Sequence, residues 1–100
     1  MPLIVGSLEV RLLIREARTL KDKRQVVRSI LDRMRNEFNV SAAEVDELDG
    51  AQTATLGFAS VGWDAAKVRE SLQRIADALR RHPIAEFVDS NLEIMRPFKQ

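Results

Sequence analysis

One hundred residues suffice for a single domain, 1–100, with a modest core that needs no covalent staples. With 45 % hydrophobic and 31 % charged residues the composition is that of a soluble globular protein, and the absence of cysteine removes disulfides, thiolate metal sites and a cysteine nucleophile. The formal net charge of +1 hides an asymmetry: residues 1–38 carry nine Lys/Arg against five acids, whereas residues 39–66 carry five acids and no Lys or Arg.

Residues 3–14 alternate in polarity. Ile4, Gly6, Leu8, Val10, Leu12 and Ile14 share one face of a strand, and Val5, Ser7, Glu9, Arg11 and Leu13 share the other. The first set is apolar throughout and is expected to face the core. Thr19 then caps a long amphipathic helix, with Asp22 placed to reach back in a capping box. Leu20, Val27, Ile30, Leu31, Met34 and Phe38 make its apolar stripe, and the helix is expected to end near Glu37.

Val40 to Val45 reads as a short second strand whose alternation leaves its inward face open. Asp46 to Gly50 forms the turn, and Asp49-Gly50 is a strong hairpin signal, so the second and third strands are expected to pair antiparallel. Thr53 to Val61 is the third strand, with Ala54, Leu56 and Phe58 on one face. Asp64 caps a second helix, in which Trp63 and Val68 are spaced for a hydrophobic staple. Val68, Leu72, Ile75, Ala76 and Leu79 form its stripe, and Pro83 stops it. A fourth strand is expected from about Ile84 to Met95, with Ile84, Val88, Leu92 and Ile94 on one face and Phe87, Asp89, Asn91, Glu93 and Met95 on the other.

The order β-α-β-β-α-β with two amphipathic helices predicts an α+β, ferredoxin-like split βαβ fold. Both helices would cover one face of a four-stranded antiparallel sheet, with the first and third strands central. No apolar run approaches ~18 residues, so no membrane span is expected. The N-terminus lacks a signal-peptide pattern, and a cytoplasmic location follows as the expectation.

Several stretches carry a resemblance: Ile4-Val5-Gly6-Ser7-Leu8-Glu9-Val10-Arg11-Leu12, Leu20 to Ser29, Phe38 to Val45, and Ala54 to Ala59. Together they resemble the bacterial YlxP-like proteins, a family of unknown function for which a ferredoxin-like fold is expected. The genes of that family often lie beside genes for translation initiation and ribosome maturation factors, which implies a role near RNA or ribosomes. Where members tend to carry Trp-Gln before the third strand, this chain has Ala51-Gln52. The resemblance brings no catalytic residues.

On the first helix, Lys21, Arg24, Arg28 and Arg35 fall within about 60° of one another beside the apolar stripe, and Arg15 and Arg18 extend the row at the helix entrance. Such a row suits phosphate backbones, because each neutralised phosphate releases counterions. The competing reading is a solvated flank whose Lys and Arg stems cover the apolar rim. On the second helix Glu70–Arg74 and Asp77–Arg81 are spaced as ion pairs that would neutralise it. The open sheet face lacks aromatics on the first and third strands and carries Glu9, Asp89 and Glu93, which disfavours base stacking there. Its Val5, Ser7, Leu13, Thr55, Gly57, Ala59 and Val61 instead make a candidate self-association surface, and a homodimer the second expected partner.

An enzyme is not expected, and no cofactor or metal is. His82, the one histidine, sits at the end of the second helix where a cation would favour the dipole, and a lone histidine without cysteine makes no typical zinc site. Asp46, Glu47 and Asp49 lack calcium-loop spacing and are read as shaping the hairpin. Arg15 and Arg18 occupy the loop that acylphosphatases of this fold use for phosphate, but that loop has no glycine to gather backbone amides. Trp63 is read as a core-edge residue rather than a stacking platform.

Overall fold

The computed structural model describes residues 2–46 and 50–98. It contains β1 (Ile4–Leu13), α1 (Leu20–Glu37), β2 (Ser41–Asp46), β3 (Thr53–Gly62), α2 (Ala65–Arg80) and β4 (Glu86–Met95). The strands form one antiparallel sheet in the order β2-β3-β1-β4. α1 lies over β2 and β3, while α2 lies over β1, β3 and β4. This is the ferredoxin-like arrangement read from the element order, with β1 and β3 central.

The alternation of β1 decides which face the helices cover. Ile4, Leu8, Val10 and Leu12 are buried together with Leu56 and Phe58 of β3, Val27, Ile30 and Met34 of α1, and Leu72, Ile75 and Leu79 of α2. Burying side chains of this size contributes about 1.5–3 kcal/mol each. At Gly6 the helix comes so close that a Cβ would meet Val68 Cγ1 at 2.5 Å and Leu72 Cδ1 at 2.7 Å.

The caps follow from short polar side chains at the helix starts. Thr19 Oγ1 accepts from the Asp22 N–H at 3.1 Å, but the Asp22 carboxylate reaches past Thr19 and accepts from the Arg18 N–H at 3.0 Å. The capping box is thus displaced by one residue. Asp64 accepts from the N–H groups of Ala66 and Lys67. Gln52 holds the β1–α1 connection: its backbone carbonyl accepts from the Ile14 N–H, and its amide donates to the Arg15 carbonyl.

Several expectations are corrected. Leu20 is 46 % exposed, because it stands at the helix entrance beyond the end of the core layer, and Lys23 takes the place it was expected to fill in the stripe. Trp63 is 64 % exposed rather than tucked at the core edge, and Val68 packs against Gly6 and Gly62. β4 starts at Glu86, and its register shifts between Arg11 and Leu12, which face Asp89 and Phe87. Val88 is the extra residue of that bulge. Phe87 therefore packs on the core, while Val88 and Ile84 are exposed. On β2, Ala42 and Glu44 turn inward, and Ser41, Ala43 and Val45 outward. Gly50 has φ +88°, the left-handed backbone that glycine adopts freely. Glu47, Leu48 and Asp49 of the expected turn lie outside the described residues.

His82 follows the C-cap of α2 and does not act as a cation toward the helix dipole. Its Nδ1 accepts from the N–H groups of Ile84 and Ala85 at 3.2 and 3.0 Å, which requires an unprotonated nitrogen. Burial, and secondarily the positive charge of Arg33, holds its pKa below 6.5. The native state thus binds fewer protons than the unfolded chain between that lowered value and 6.5. The stabilisation is complete above 6.5 and declines as pH falls through this window. Urea denaturation at stepped pH should show wild type losing more stability on acidification than His82→Asn, whose side-chain oxygen accepts without titrating. His82→Ala should cost about 1 kcal/mol at neutral pH by stranding two donors.

Candidate nucleic-acid interface

The candidate row on α1 begins just inside the Thr19 cap. Lys21, Arg24 and Arg28 are exposed and have no acid within ion-pair distance among the described residues. They span about 10 Å of helix. Asp22, the nearest acid in sequence, is held by the cap through Arg18 N–H. The Arg18 guanidinium makes no ion pair among the described residues and extends the row by one turn.

Two of the sequence candidates are engaged elsewhere. Arg35 contacts Asp32 Oδ1 at 3.2 Å and donates to the Ala42 carbonyl, so it ties α1 to β2. Arg15 pairs with Glu86 at 2.9 Å across the β1–β4 margin. Both remain partly exposed, but neither offers an unpaired charge. The row that stays free is Arg18, Lys21, Arg24 and Arg28.

α2 differs from its expected state. Neither Glu70–Arg74 nor Asp77–Arg81 closes to ion-pair distance. Arg74 lies 5.9 Å from the Phe38 ring centroid and Arg80 lies 4.0 Å from that of Phe87. Glu70 and Asp77 still stand among these cations on the same exposed arc of the helix. On α1 the acid of the same arc, Asp32, lies one turn beyond Arg28 and is taken by Arg35, so none stands between Lys21, Arg24 and Arg28.

The electrostatic feature that the composition conceals lies one residue inside the row. Lys23 is only 2 % exposed, and its Nζ lies 3.3 Å from Glu44 Oε2. The Glu44 side chain keeps 20 % of its exposure. The contact lacks hydrogen-bonding alignment, and Oε2 receives no hydrogen bond. Lys23, Val27, Ile30 and Met34 fall at i, i+4, i+7 and i+11, all buried. The cation therefore sits in the middle of the stripe that docks α1 on the sheet, and it is lost to any ligand.

On the open sheet face the self-association candidates fare unequally. Thr55 is buried within the chain itself. Gly57 lies beneath Val45, whose Cγ1 would be 2.7 Å from a Cβ at that position. Val5, Ser7 and Leu13 are half-buried, and Ala59 and Val61 are exposed. A depression of about 470 Å³ runs between Ser41, Ala43 and Val45 on one side and Glu9, Asn91 and Glu93 on the other. Among the described residues, no helix is long and apolar enough to cross a membrane.

Residues 5–92 match the family described as "Protein of unknown function (DUF503)". The chain is also 34 % identical over 93 residues to the "Uncharacterized protein YlxP" of Bacillus subtilis (strain 168), an alignment covering 93 % of this chain and 91 % of that protein. A match over most of the domain on both counts, with the strand and helix pattern that the resemblance implied, means that the chain belongs to the DUF503, YlxP-like family.

Proposed function

We propose that the protein is a non-catalytic cytoplasmic factor that binds structured RNA, such as that of the ribosome, along the entrance of α1. The observation that carries this reading is the row Arg18, Lys21, Arg24 and Arg28, four exposed cations with no ion-pair partner among the described residues. Cations already paired lose little charge to a phosphate, whereas unpaired ones release its counterions in full. The gene neighbourhood implied by the family resemblance agrees with this choice of polyanion.

Filter binding of ribosomal subunits and of an RNA hairpin, repeated at several salt concentrations, tests the proposal. Four phosphate contacts give log K against log salt a slope of about −3 for single-stranded and about −4 for duplex segments. Changing Lys21, Arg24 and Arg28 together to Glu should weaken binding about a hundredfold and flatten the slope to about −1. Arg74→Glu on α2 serves as the charge-matched control and should change little. Arg35 is left intact because it carries the tie to Ala42. Affinity and slope that survive the triple change would overturn the proposal.

A further inference from the structure

The sheet face opposite the helices is organised in rows by its register. Val61, Val5 and Met95 lie side by side across β3, β1 and β4 and form an apolar row at one end. Ala59, Ser7 and Glu93 form the next row, and Gly57, Glu9 and Asn91 the one after. Small residues on β3 keep the middle of the face low, and the depression of about 470 Å³ lies there. Glu9 and Glu93 bound it on the β4 side and have no cation within ion-pair distance among the described residues.

Charge decides what can cover this surface. The described residues of β1 and β4 on this face, outside the Arg15–Glu86 pair, include the carboxylates of Glu9, Asp89 and Glu93, against the single guanidinium of Arg11. A nucleic acid is repelled. A second copy laid face to face would bring two such acidic sets together and desolvate them, which costs more than small apolar rows return. A segment with apolar residues on one side and Lys or Arg beside them meets both requirements: its apolar anchors cover Val5, Val61 and Met95, and its cations reach Glu9 and Glu93. Lys and Arg stems can lie along the low floor at Ala59 while their heads stay at the carboxylates.

We infer that the open sheet face docks a basic amphipathic segment of another protein, with Val5, Val61 and Met95 as the apolar seat and Glu9 and Glu93 as the charge partners. This surface is separate from the α1 row, and the inference stands whether or not RNA binds there.

Amide chemical shifts of the full-length, isotopically labelled protein provide the test, with a synthetic lysine–leucine amphipathic peptide as probe and its glutamate–leucine counterpart as control. The lysine peptide should move the amides of Val5, Glu9, Gly57, Val61, Glu93 and Met95, and the glutamate peptide should not. Glu9→Gln with Glu93→Gln should weaken the lysine peptide about five- to tenfold. Glu70→Gln with Asp77→Asn, which removes equal charge from α2, should leave it unchanged. The spectrum of each variant reports its own folding. Absence of shifts on this face, or shifts indifferent to the Glu9 and Glu93 changes, would overturn the inference. Concentration-dependent shifts of the same amides without peptide would assign the face to a second copy and overturn it equally.

Discussion

Glu44→Ala is expected to lower stability by about 3 kcal/mol, although it removes a side chain from a short edge strand. The reason lies on α1. Lys23 is buried among Val27, Ile30 and Met34, and its ammonium has the Glu44 carboxylate at 3.3 Å. Removing one partner of a buried pair leaves the other charge uncompensated, at a typical cost of about 3–5 kcal/mol. The residual exposure of Glu44 lets water approach and sets the expectation at the low end of that range. For a domain of this length the loss corresponds to a fall in Tm of roughly 12–24 °C. Replacing both partners, Lys23→Met with Glu44→Leu, should restore wild-type stability or exceed it by about 1–4 kcal/mol, since neither charge then needs solvation. Thermal unfolding of the two single variants and the double variant gives the coupling directly. A loss below about 1 kcal/mol in Glu44→Ala would mean that the Lys23 ammonium reaches solvent by another route.

Gly6→Val should be at least as damaging. Gly6 lies on the core face of β1, where α2 crosses it, and a Cβ alone would come within 2.5 Å of Val68 Cγ1 and 2.7 Å of Leu72 Cδ1. Valine adds two further methyls in the same direction. Val68 and Leu72 are buried and packed, so they cannot swing into solvent, and α2 itself must lift from the sheet. Forcing extra methylenes into a packed core commonly costs about 1–3 kcal/mol, and three carbons against the buried Val68 and Leu72 side chains place Gly6→Val at or above the upper end. Gly6→Ala should cost about 1–2 kcal/mol. Equilibrium denaturation in urea measures both. The effect should be absent at Gly50, where a Cβ meets nothing within 4 Å, apart from the strain of its positive φ.

The sequence and the structure agree where one local signal suffices. The parity of β1, the Thr19 and Asp64 caps and the stripe of α2 each depend on neighbours a few residues away, and each is found as read. The misreadings arise where a distant element decides. Lys23 was legible from its spacing with Val27, Ile30 and Met34, yet a lysine on an apolar stripe is recognisable as buried only once its counter-charge is known. That partner sits on β2, whose alternation is ambiguous because Ala42, Ala43 and Val45 suit either face. β4 defeats a period of two because one inserted residue moves the inward positions from Phe87 to Leu92 and Ile94, of opposite parity. In the candidate site, the clustering of Lys21, Arg24 and Arg28 could be read from helical angles. The loss of Arg35 to the Ala42 carbonyl and of Arg15 to Glu86 could not, because both partners come from other elements.

Both margins of the sheet are irregular. β2 shifts register around Val45 and β4 around Val88, so neither outer strand presents a straight run of free amides and carbonyls. β2 is further pinned from above by Arg35 and Lys23, and β4 carries Glu86, Asp89 and Glu93. Bulges and charges of this kind interrupt the template on which strands of separate molecules would zip together edge to edge. Edge-to-edge growth into ribbons is thereby disfavoured at both margins.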